Sequence, residues 1–230
     1  IHTDLDIFYS NYSKNKIITI TGTNGKSTTV QILYDILKKQ KNDVRLVGNI
    51  GNPILSEKNI KKKTIFVIEA SSYQLDYSKL FKSNISAILN ISPDHLERHK
   101  TLSKYIKAKF KLIKSQTKKD FAILNTNNFH INEQLKEKNF LPKIIRVDGK
   151  VDLSILKKIN NSYFMTKGNK ENLSFILEIA KIFKIKKKNL IEILKKFKGL
   201  KYRQQIIFKS KYLTIINDSK ATSFSSSASV

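Results

Sequence analysis

The sequence contains no cysteine and no long apolar run. Without cysteine, disulfides and thiolate metal sites are excluded. No stretch approaches the roughly 18 consecutive apolar residues that a membrane-spanning helix needs, so no membrane partner is expected. Because no basic segment followed by an apolar one opens the sequence, nothing points to export. We therefore expect a cytoplasmic protein.

Arginine and acidic residues are also scarce. Lysine and arginine total 44 against 18 aspartate and glutamate, which gives a formal net charge of +26, yet the only arginines are Arg45, Arg98, Arg146 and Arg203. Recognition of bases and phosphates favours the planar fork of arginine. The lysines are spread along the whole chain among many isoleucines and asparagines, a composition typical of AT-rich genomes. We therefore expect no nucleic-acid partner.

Apolar residues are plentiful enough for a packed core, at 40% of 230 residues. Short β-branched runs alternate with helical patterns, which predicts an α/β fold with a mostly parallel sheet flanked by helices. The predicted strands are 16–21, 44–47, 64–68, 85–90, 121–124 and 144–147. The predicted helices begin near residue 27 and cover 102–115, 171–183 and 189–197. A hairpin is expected at 205–208 and 212–217.

The strongest local signal is GTNGKST at residues 22–28, between the first predicted strand and the first predicted helix. Glycines let the backbone approach an anion closely, and free N–H groups at a helix N-terminus attract it. Lys26 would neutralise the β- and γ-phosphates of a nucleotide, and Ser27 would bind Mg²⁺. The usual pattern has glycine where Ile20 stands. The alternative is an ordinary glycine turn capped by Ser27.

Two further candidates follow predicted strands, where ligands of parallel sheets gather. Glu69 closes an apolar strand and suits a Mg²⁺ ion, with a solvated carboxylate as the alternative. His95 and His99 lie one helical turn apart after the strand that ends at Asn90. They lack the intervening glutamate of zinc proteases and an evident third ligand. We therefore assign His95 to Mg²⁺ and expect His99 at the surface.

Lys109 breaks the pattern of an otherwise amphipathic helix. Projected at 100° per residue, the helix at 102–115 has one apolar face, and Lys109 falls in the middle of it. The opposite face carries Lys104, Lys107, Lys111 and Lys114. A buried, unpaired ammonium is costly, so Lys109 must reach a partner, lose its proton or be modified. The alternative is a lysine that snorkels past the helix edge.

The polar segment NDSKAT at 217–222 follows the last predicted strand. A hydroxyl-rich and charged loop at a strand end suits a nucleotide or phosphate. A helix N-cap formed by Asp218 or Ser219 explains the same residues equally well.

Together these segments resemble the Mur ligase family over essentially the whole chain. ITGTNGKST at 20–28 is similar to the shortened phosphate loop of that family. GNIG at 48–51, EASSYQL at 69–75 and NDSKAT resemble its D-glutamate-adding branch. The resemblance implies a P-loop NTPase-like central domain that binds ATP, at 16–222. It also implies that 1–15 is a linker from an N-terminal UDP-binding domain and that 223–230 begins a C-terminal domain.

The activity that the resemblance implies is an ATP-dependent ligation in peptidoglycan precursor synthesis. D-Glutamate would be joined to UDP-N-acetylmuramoyl-L-alanine through an acyl phosphate, by a monomeric bacterial enzyme. The 230-residue chain alone is expected to bind nucleotide weakly and not to ligate. The alternatives are another P-loop NTPase, a folylpolyglutamate-type ligase and a non-catalytic nucleotide-binding module.

The resemblance also implies roles for individual residues. The implied catalytic residues are Lys26, His95 and Lys109. The implied metal ligands are Ser27, Glu69, His95 and, if it carries a carbamate, Lys109. The implied ATP-binding residues are Gly22, Thr23, Asn24, Gly25, Lys26, Ser27, Thr28, Asn169, Asn172, Arg203, Asp218 and Lys220. The implied substrate-binding residues are Asn49, Ser71 and Ser72. Gly168 departs from the family pattern, which has histidine before Asn169.

Overall fold

The computed structural model describes residues 2–137 and 139–221. The strands are β1 (Lys16–Thr21), β2 (Val44–Gly48), β3 (Ile65–Glu69), β4 (Ile85–Ile88), β5 (Phe121–Asn125), β6 (Lys143–Val147), β7 (Gln205–Lys209) and β8 (Thr214–Asn217). The helices are α1 (Asp4–Tyr12), α2 (Lys26–Lys39), α3 (Ser72–Tyr77), α4 (Leu96–His99), α5 (Leu102–Lys114), α6 (Phe129–Glu137), α7 (Leu153–Ile159), α8 (Lys167–Ile182) and α9 (Lys187–Lys196). Short 3-10 turns lie at Ile54–Ser56 and Ser162–Met165. Thr222 and the predicted start of another domain at 223–230 lie outside the described residues.

Six strands form one parallel sheet in the order β2-β3-β1-β4-β5-β6. The predicted α/β fold is confirmed, with strand bounds that differ from the predicted ones by at most two residues. β1 and β3 are buried almost throughout, as expected of parallel strands that are covered by helices on both faces. None of the described helices has the length and apolar character that crossing a membrane requires.

Alternate residues of β1 face the two layers of helices. Ile18 and Ile20 belong to the core cluster under α2, α8 and α9, whereas Ile17 packs with residues of α1 and α5 on the other face. This period of two is the normal geometry of a strand. Because α5 covers the second face, its apolar side lies directly over the sheet. Lys109 is on that side.

Residues 4–12 fold as helix α1, in the segment that was predicted as a linker. Thr3 and Asp6 form a capping box at its start, and Leu5 and Phe8 are fully buried. The Asp6 carboxylate also accepts hydrogen bonds from Ser78 Oγ at 2.7 Å and from three consecutive backbone N–H groups at 2.9–3.0 Å. These donors are in Lys79, Leu80 and Phe81. The domain boundary near residue 15 stays a prediction.

The predicted hairpin is confirmed as the antiparallel pair β7–β8. It forms a two-stranded sheet of its own, apart from the six-stranded sheet. Large apolar side chains on it are about half exposed, among them Ile206, Phe208, Ile215 and Ile216. The hairpin brings the segment around Asp218 back towards the carboxyl edge of the main sheet.

Candidate nucleotide and metal site

The carboxyl ends of β1, β3 and β4 open into a cleft with a cavity volume of about 340 Å³. β1 is central, with β3 on one side and β4 on the other, so the cleft lies at a switch point of the sheet, where α/β folds bind ligands. Every site residue predicted from the sequence lines it. They are Gly22, Thr23, Asn24, Gly25, Lys26, Ser27, Thr28, Asn49, Glu69, Ser71, Ser72, His95, Lys109, Asn169, Asn172, Arg203, Asp218 and Lys220. Their individual roles stay predictions.

The loop at 22–28 connects β1 to α2 and has Lys26 at its centre. The Lys26 ammonium donates hydrogen bonds to the carbonyl oxygens of Gly22 at 2.9 Å and Thr23 at 2.7 Å. Burial lowers the pKa of Lys26, and the positive charge of Arg203 lowers it further, while Glu69 and Asp94 oppose this. The ammonium is therefore held over the mouth of the loop.

Both the backbone conformation and the packing at position 25 require glycine. Its φ of +83° lies in the left-handed region, and a Cβ there would come within 2.1 Å of Asn172 Oδ1. Gly25 caps α2 without any side-chain hydrogen bond. The N–H groups at the start of α2 therefore face the cleft, which suits an anion.

Glu69 ends β3 and is 1% exposed. Its Oε1 accepts a hydrogen bond from Asn49 Nδ2 at 3.1 Å, whereas Oε2 is buried and has no hydrogen-bond partner among the described residues. The backbones of β2 and β3 approach each other closely next to this pair, and this requires glycine at position 48. A Cβ at Gly48 would lie 2.4 Å from the Glu69 carbonyl oxygen. A buried carboxylate oxygen without a partner at a strand end is a natural ligand for a divalent cation.

Lys109 is 1% exposed, so the alternative of a lysine that snorkels to solvent is wrong. Its ammonium lies 2.9 Å from the carbonyl oxygen of Gly22, 3.4 Å from Thr21 Oγ1 and 4.5 Å from the centre of the Tyr105 ring. Burial lowers the pKa of Lys109 well below its ordinary value, and the nearby charge of Lys26 lowers it further. The four lysines predicted on the opposite face are all exposed.

His95 begins the short helix α4 with a left-handed backbone, φ +53°. Carboxylates flank both ring nitrogens: Asp94 Oδ2 lies 3.5 Å from Nε2, and Glu97 Oε1 lies 3.7 Å from Nδ1. The Tyr73 ring packs 5.1 Å from the imidazole, centre to centre. His95 thus lines the cleft, as predicted, with acidic neighbours that hold its ring.

The predicted surface position of His99 is wrong: the side chain is 4% exposed. Its Nε2 lies 3.0 Å from Ser72 Oγ, and its ring stacks on Tyr73 at 5.5 Å with an interplanar angle of 6°. Burial lowers the pKa of His99, with a smaller lowering effect from the charge of Lys109. Residues with positive φ, His95 and Lys100, flank the four-residue helix α4, and its last residue, His99, is buried.

Ser71 and Ser72 lie at the cleft edge, but their hydroxyls have structural partners. Ser71 Oγ accepts from the backbone N–H of Gln74 at 3.2 Å and caps α3, whereas Ser72 Oγ contacts His99. A role for either serine in binding substrate stays a prediction.

The far side of the cleft combines α8 with the hairpin. Asn169 Nδ2 donates to the Tyr163 carbonyl oxygen at 2.9 Å, and buried Asn172 packs against Gly25. From the hairpin, the backbone N–H of Gln204 donates to Asp218 Oδ1 at 3.1 Å, and that of Lys220 donates to the Tyr202 carbonyl oxygen at 3.1 Å. These bonds keep Arg203 and Lys220 at the cleft.

Nine further residues line the cleft without having been predicted as site residues. They are Tyr73, Asn90, Asp94, Tyr105, Tyr163, Thr166, Gly168, Gln204 and Ala221. The position of Tyr105, one turn before Lys109 on the same apolar face, was a signal for it. Burial raises the pKa of Tyr105 to about 12, and its hydroxyl lies 3.0 Å from Thr23 Oγ1. The sequence carried no comparable signal for Tyr163, whose hydroxyl lies 3.4 Å from Thr28 Oγ1.

The residues present fit Mg²⁺ better than zinc. Among the described residues, no group of three or more histidine, aspartate and glutamate side chains is arranged to hold a metal. Mg²⁺ does not need such a cage, because it usually keeps several waters and takes one or two carboxylates together with phosphate oxygens. The orphaned Oε2 of Glu69, beside the phosphate loop that carries Ser27, has the chemistry of such a ligand set.

The parallel sheet, the glycine loop before α2 and the lysines at its mouth define an α/β domain of the phosphate-loop class. A family profile described as the Mur ligase middle domain matches residues 20–194, so the chain belongs to the Mur ligase family.

The chain is also similar to curated proteins named UDP-N-acetylmuramoylalanine--D-glutamate ligase. The one from Rickettsia bellii is 32% identical over 242 residues, which cover 96% of this chain and 53% of that protein. The one from Lachnoclostridium phytofermentans is 35% identical over 232 residues, which cover 92% of this chain and 51% of that protein. The chain therefore spans about half the length of these relatives.

Solved structures support the fold. MurF from Acinetobacter baumannii matches with a TM-score of 0.67 at 17% identity, over 93% of this chain and 52% of that chain. MurF ligase from Thermotoga maritima, in complex with ADP, matches with a TM-score of 0.67 at 17% identity, over 93% of this chain and 55% of that chain. The predicted Mur ligase central-domain fold is therefore confirmed.

Proposed function

We propose that this chain is the ATP-binding part of a ligase that joins D-glutamate to UDP-N-acetylmuramoyl-L-alanine. The observation that carries the proposal is the convergence of Lys26, Glu69 and Lys109 on one cleft, with the two ammonium groups at the same loop carbonyl. A phosphate loop accounts for Lys26 but not for Glu69 or Lys109. A buried, depressed-pKa lysine opposite an orphaned carboxylate is an additional arrangement, suited to a second anion and a divalent cation.

The phosphate loop supplies the groups that phosphoryl transfer requires. The N–H groups at the start of α2 bind phosphate oxygens, and Lys26 turns from the carbonyls of Gly22 and Thr23 to the transferring phosphate. The carboxylate of the muramoyl substrate attacks the γ-phosphorus, its C–O–P bond forms, and ADP leaves. The amine of D-glutamate then displaces phosphate from the acyl carbon and loses a proton as the amide forms.

Glu69, Ser27 and His95 are the residues that would hold magnesium, and Lys109 would help if it carried a carbamate. When bound, Mg²⁺ neutralises charge that builds up on the phosphate and acyl oxygens. The Lys109 amine is biased towards its neutral form, which attacks carbon dioxide to form an N–C bond with release of one proton. The product is an anionic group that the charge of Lys26 stabilises and that offers oxygen ligands.

The specific substrates rest on the relatives, whose name gives UDP-N-acetylmuramoylalanine and D-glutamate. Asn49, which contacts Glu69, would lie near the reacting end of the muramoyl substrate. Asn169, Asn172, Arg203, Asp218 and Lys220 would surround the nucleotide. We propose that the enzyme works as a monomer in the bacterial cytoplasm, with residues 16–222 as its ATP-binding domain.

The test uses the complete protein that contains this chain. Phosphate release is followed with ATP, Mg²⁺ and UDP-N-acetylmuramoyl-L-alanine while D-glutamate, L-glutamate, L-alanine and diaminopimelate are offered separately. We expect release with D-glutamate alone. ATP hydrolysis that is independent of the muramoyl substrate would instead support another P-loop NTPase. Release with a folate and L-glutamate would support a folylpolyglutamate-type ligase.

A further inference from the structure

Asn90 holds the phosphate loop through both ends of its side-chain amide. Its Oδ1 accepts hydrogen bonds from the backbone N–H groups of Thr23 at 3.1 Å and Asn24 at 2.8 Å. Its Nδ2 donates to the Asn24 carbonyl oxygen at 3.2 Å. The Thr23 N–H also lies 3.0 Å from the backbone carbonyl of Asn90. Three consecutive peptide groups of the loop are thus fixed by one residue just beyond β4.

This brace compensates for the short loop. The usual pattern has a first glycine five residues before the one that corresponds to Gly25. Here Ile20 occupies that position and is fully buried in β1. The free arc is therefore reduced to Gly22, Thr23 and Asn24 before Gly25 starts the helix. An arc this short leaves its N–H groups needing partners, and Asn90 provides them.

The same peptide groups connect Asn90 to Lys26. In the Thr23–Asn24 peptide group, the Asn24 N–H donates to Asn90 Oδ1 at 2.8 Å, and the Thr23 carbonyl accepts the Lys26 ammonium at 2.7 Å. The backbone N–H groups of Thr23 and Asn24 already donate to Asn90. The groups that remain to bind phosphate are therefore Lys26 and the N–H groups at the start of α2. The position of the Thr23 peptide, and with it the resting position of Lys26, depends on Asn90.

We propose that Asn90 is a positioning residue for the nucleotide's phosphates: it pre-forms the loop and the resting place of Lys26 without contacting the nucleotide. This inference rests on the proposed function for the identity of the nucleotide. A pre-formed loop avoids the ordering cost that a mobile loop would incur when the phosphates bind. Asn90 therefore contributes to affinity for ATP and ADP rather than to the stability of the fold alone.

The test compares Asn90→Ala and Asn90→Asp with the wild-type complete protein. ADP and ATP affinities are measured by calorimetry, and the thermal midpoint is measured without ligand. Asn90→Ala should weaken ADP binding by about tenfold, the size of effect that losing such hydrogen bonds produces. Asn90→Asp keeps the shape and an acceptor oxygen but adds a negative charge. It should therefore weaken ATP binding more than ADP binding, with a loss that shrinks at high salt.

Asn125→Ala is the matched control. Asn125 ends the neighbouring strand β5, is buried, donates to the Leu89 carbonyl oxygen at 3.1 Å and accepts from the Asn127 N–H at 3.0 Å, but it does not line the cleft. It should lower the thermal midpoint and leave the ADP affinity within about twofold of wild type. Equal losses of ADP affinity in Asn90→Ala and Asn125→Ala, or none in either Asn90 variant, would overturn the proposal.

Failure of the proposed function has a different signature. A wild-type protein that binds ADP but releases no phosphate with D-glutamate contradicts the ligase, while the Asn90 variants still decide whether the brace acts. A wild-type protein that binds neither ADP nor ATP overturns both proposals.

Discussion

The ammonium groups of Lys26 and Lys109 meet at one acceptor, since each lies 2.9 Å from the carbonyl oxygen of Gly22. Two cations at one carbonyl repel each other strongly in a buried site. Lys109 is the more deeply buried of the two, so it is the one whose proton is less favoured. The loop therefore places two lysines side by side, and the neutral amine is favoured more strongly at Lys109 than at Lys26.

Replacing Lys109 should separate stability from activity. Lys109→Met keeps the length of the side chain and removes the buried amine, so we expect it to stabilise the unliganded protein by about 1 kcal/mol against urea. Ligase activity should fall by about 100-fold or more, as on loss of a group that stabilises charge in the transition state. The control is Lys107→Met on the exposed face of α5, which should change neither quantity.

A smaller substitution at the same position tests the carbamate. Lys109→Ala should be equally inactive, and a short carboxylic acid that fills the vacated space should restore part of the activity. Full activity of either Lys109 variant would contradict the proposed role.

Gly48→Ala should disturb the Glu69 site through the backbone. The new Cβ would lie 2.4 Å from the Glu69 carbonyl oxygen, and the φ of +105° is unfavourable for alanine. We expect a loss of about 2 kcal/mol in unfolding free energy together with weaker Mg²⁺ dependence of activity. Gly168→Ala is the comparison: no atom lies within 4 Å of its added Cβ, so this helical position should gain about 0.5 kcal/mol. Equal stability of the two variants would contradict the prediction.

His99 and Ser72 should be energetically coupled. His99→Phe keeps an aromatic ring against Tyr73 but loses the 3.0 Å contact with Ser72 Oγ. A double-mutant cycle with Ser72→Ala should give a coupling of about 1 kcal/mol in unfolding free energy. Because burial lowers the pKa of His99, the wild type should lose stability as the pH falls below about 6.5, and His99→Phe should lose less. Additive effects at pH 8 would count against the contact.

Asp6→Asn should detach helix α1 from the loop after α3. Burial by itself raises the pKa of Asp6, but hydrogen bonds from Ser78 and the N–H groups of the following three residues outweigh it and lower the pKa. A carboxylate with a lowered pKa stabilises the fold fully above its unfolded value of about 4 and loses that contribution as the pH falls. We expect a cost of about 2–3 kcal/mol at pH 7 that shrinks below pH 4. Asp4→Asn, on the same turn but partly exposed, should cost less at every pH.

The strands and the helices of ten or more residues were predictable from the sequence, whereas the shorter helices among the described residues were not. The burial of Lys109 followed from the period of α5, because a helix of 13 residues shows its faces clearly. The burial of His99 did not, because α4 has only four residues, too few to show a helical period, and is flanked by residues with positive φ. Helices α1, α3, α6 and α7 were also missed. The capping boxes and long-range contacts that hold α1 and α3 are only partly visible in local sequence.

The candidate site divides in the same way. Residues such as Gly22–Thr28 and Glu69 were found because they lie in short, contiguous sequence motifs that indicate their chemistry. Asn90 and Tyr163 act on the loop from 66 and 135 positions away along the chain, so only the folded arrangement reveals them.

The separate two-stranded sheet formed by β7 and β8 has a consequence for motion. Arg203 and Lys220 reach the cleft from this hairpin, while the phosphate loop belongs to the six-stranded sheet. A nucleotide that contacts both would link two sheets that share no strand pairing. Amide hydrogen exchange in β7 and β8 should therefore slow on addition of ADP by a larger factor than in β1. The amides of a buried central strand such as β1 exchange mainly through global unfolding. The hairpin would then report nucleotide occupancy as a change in its own opening rate.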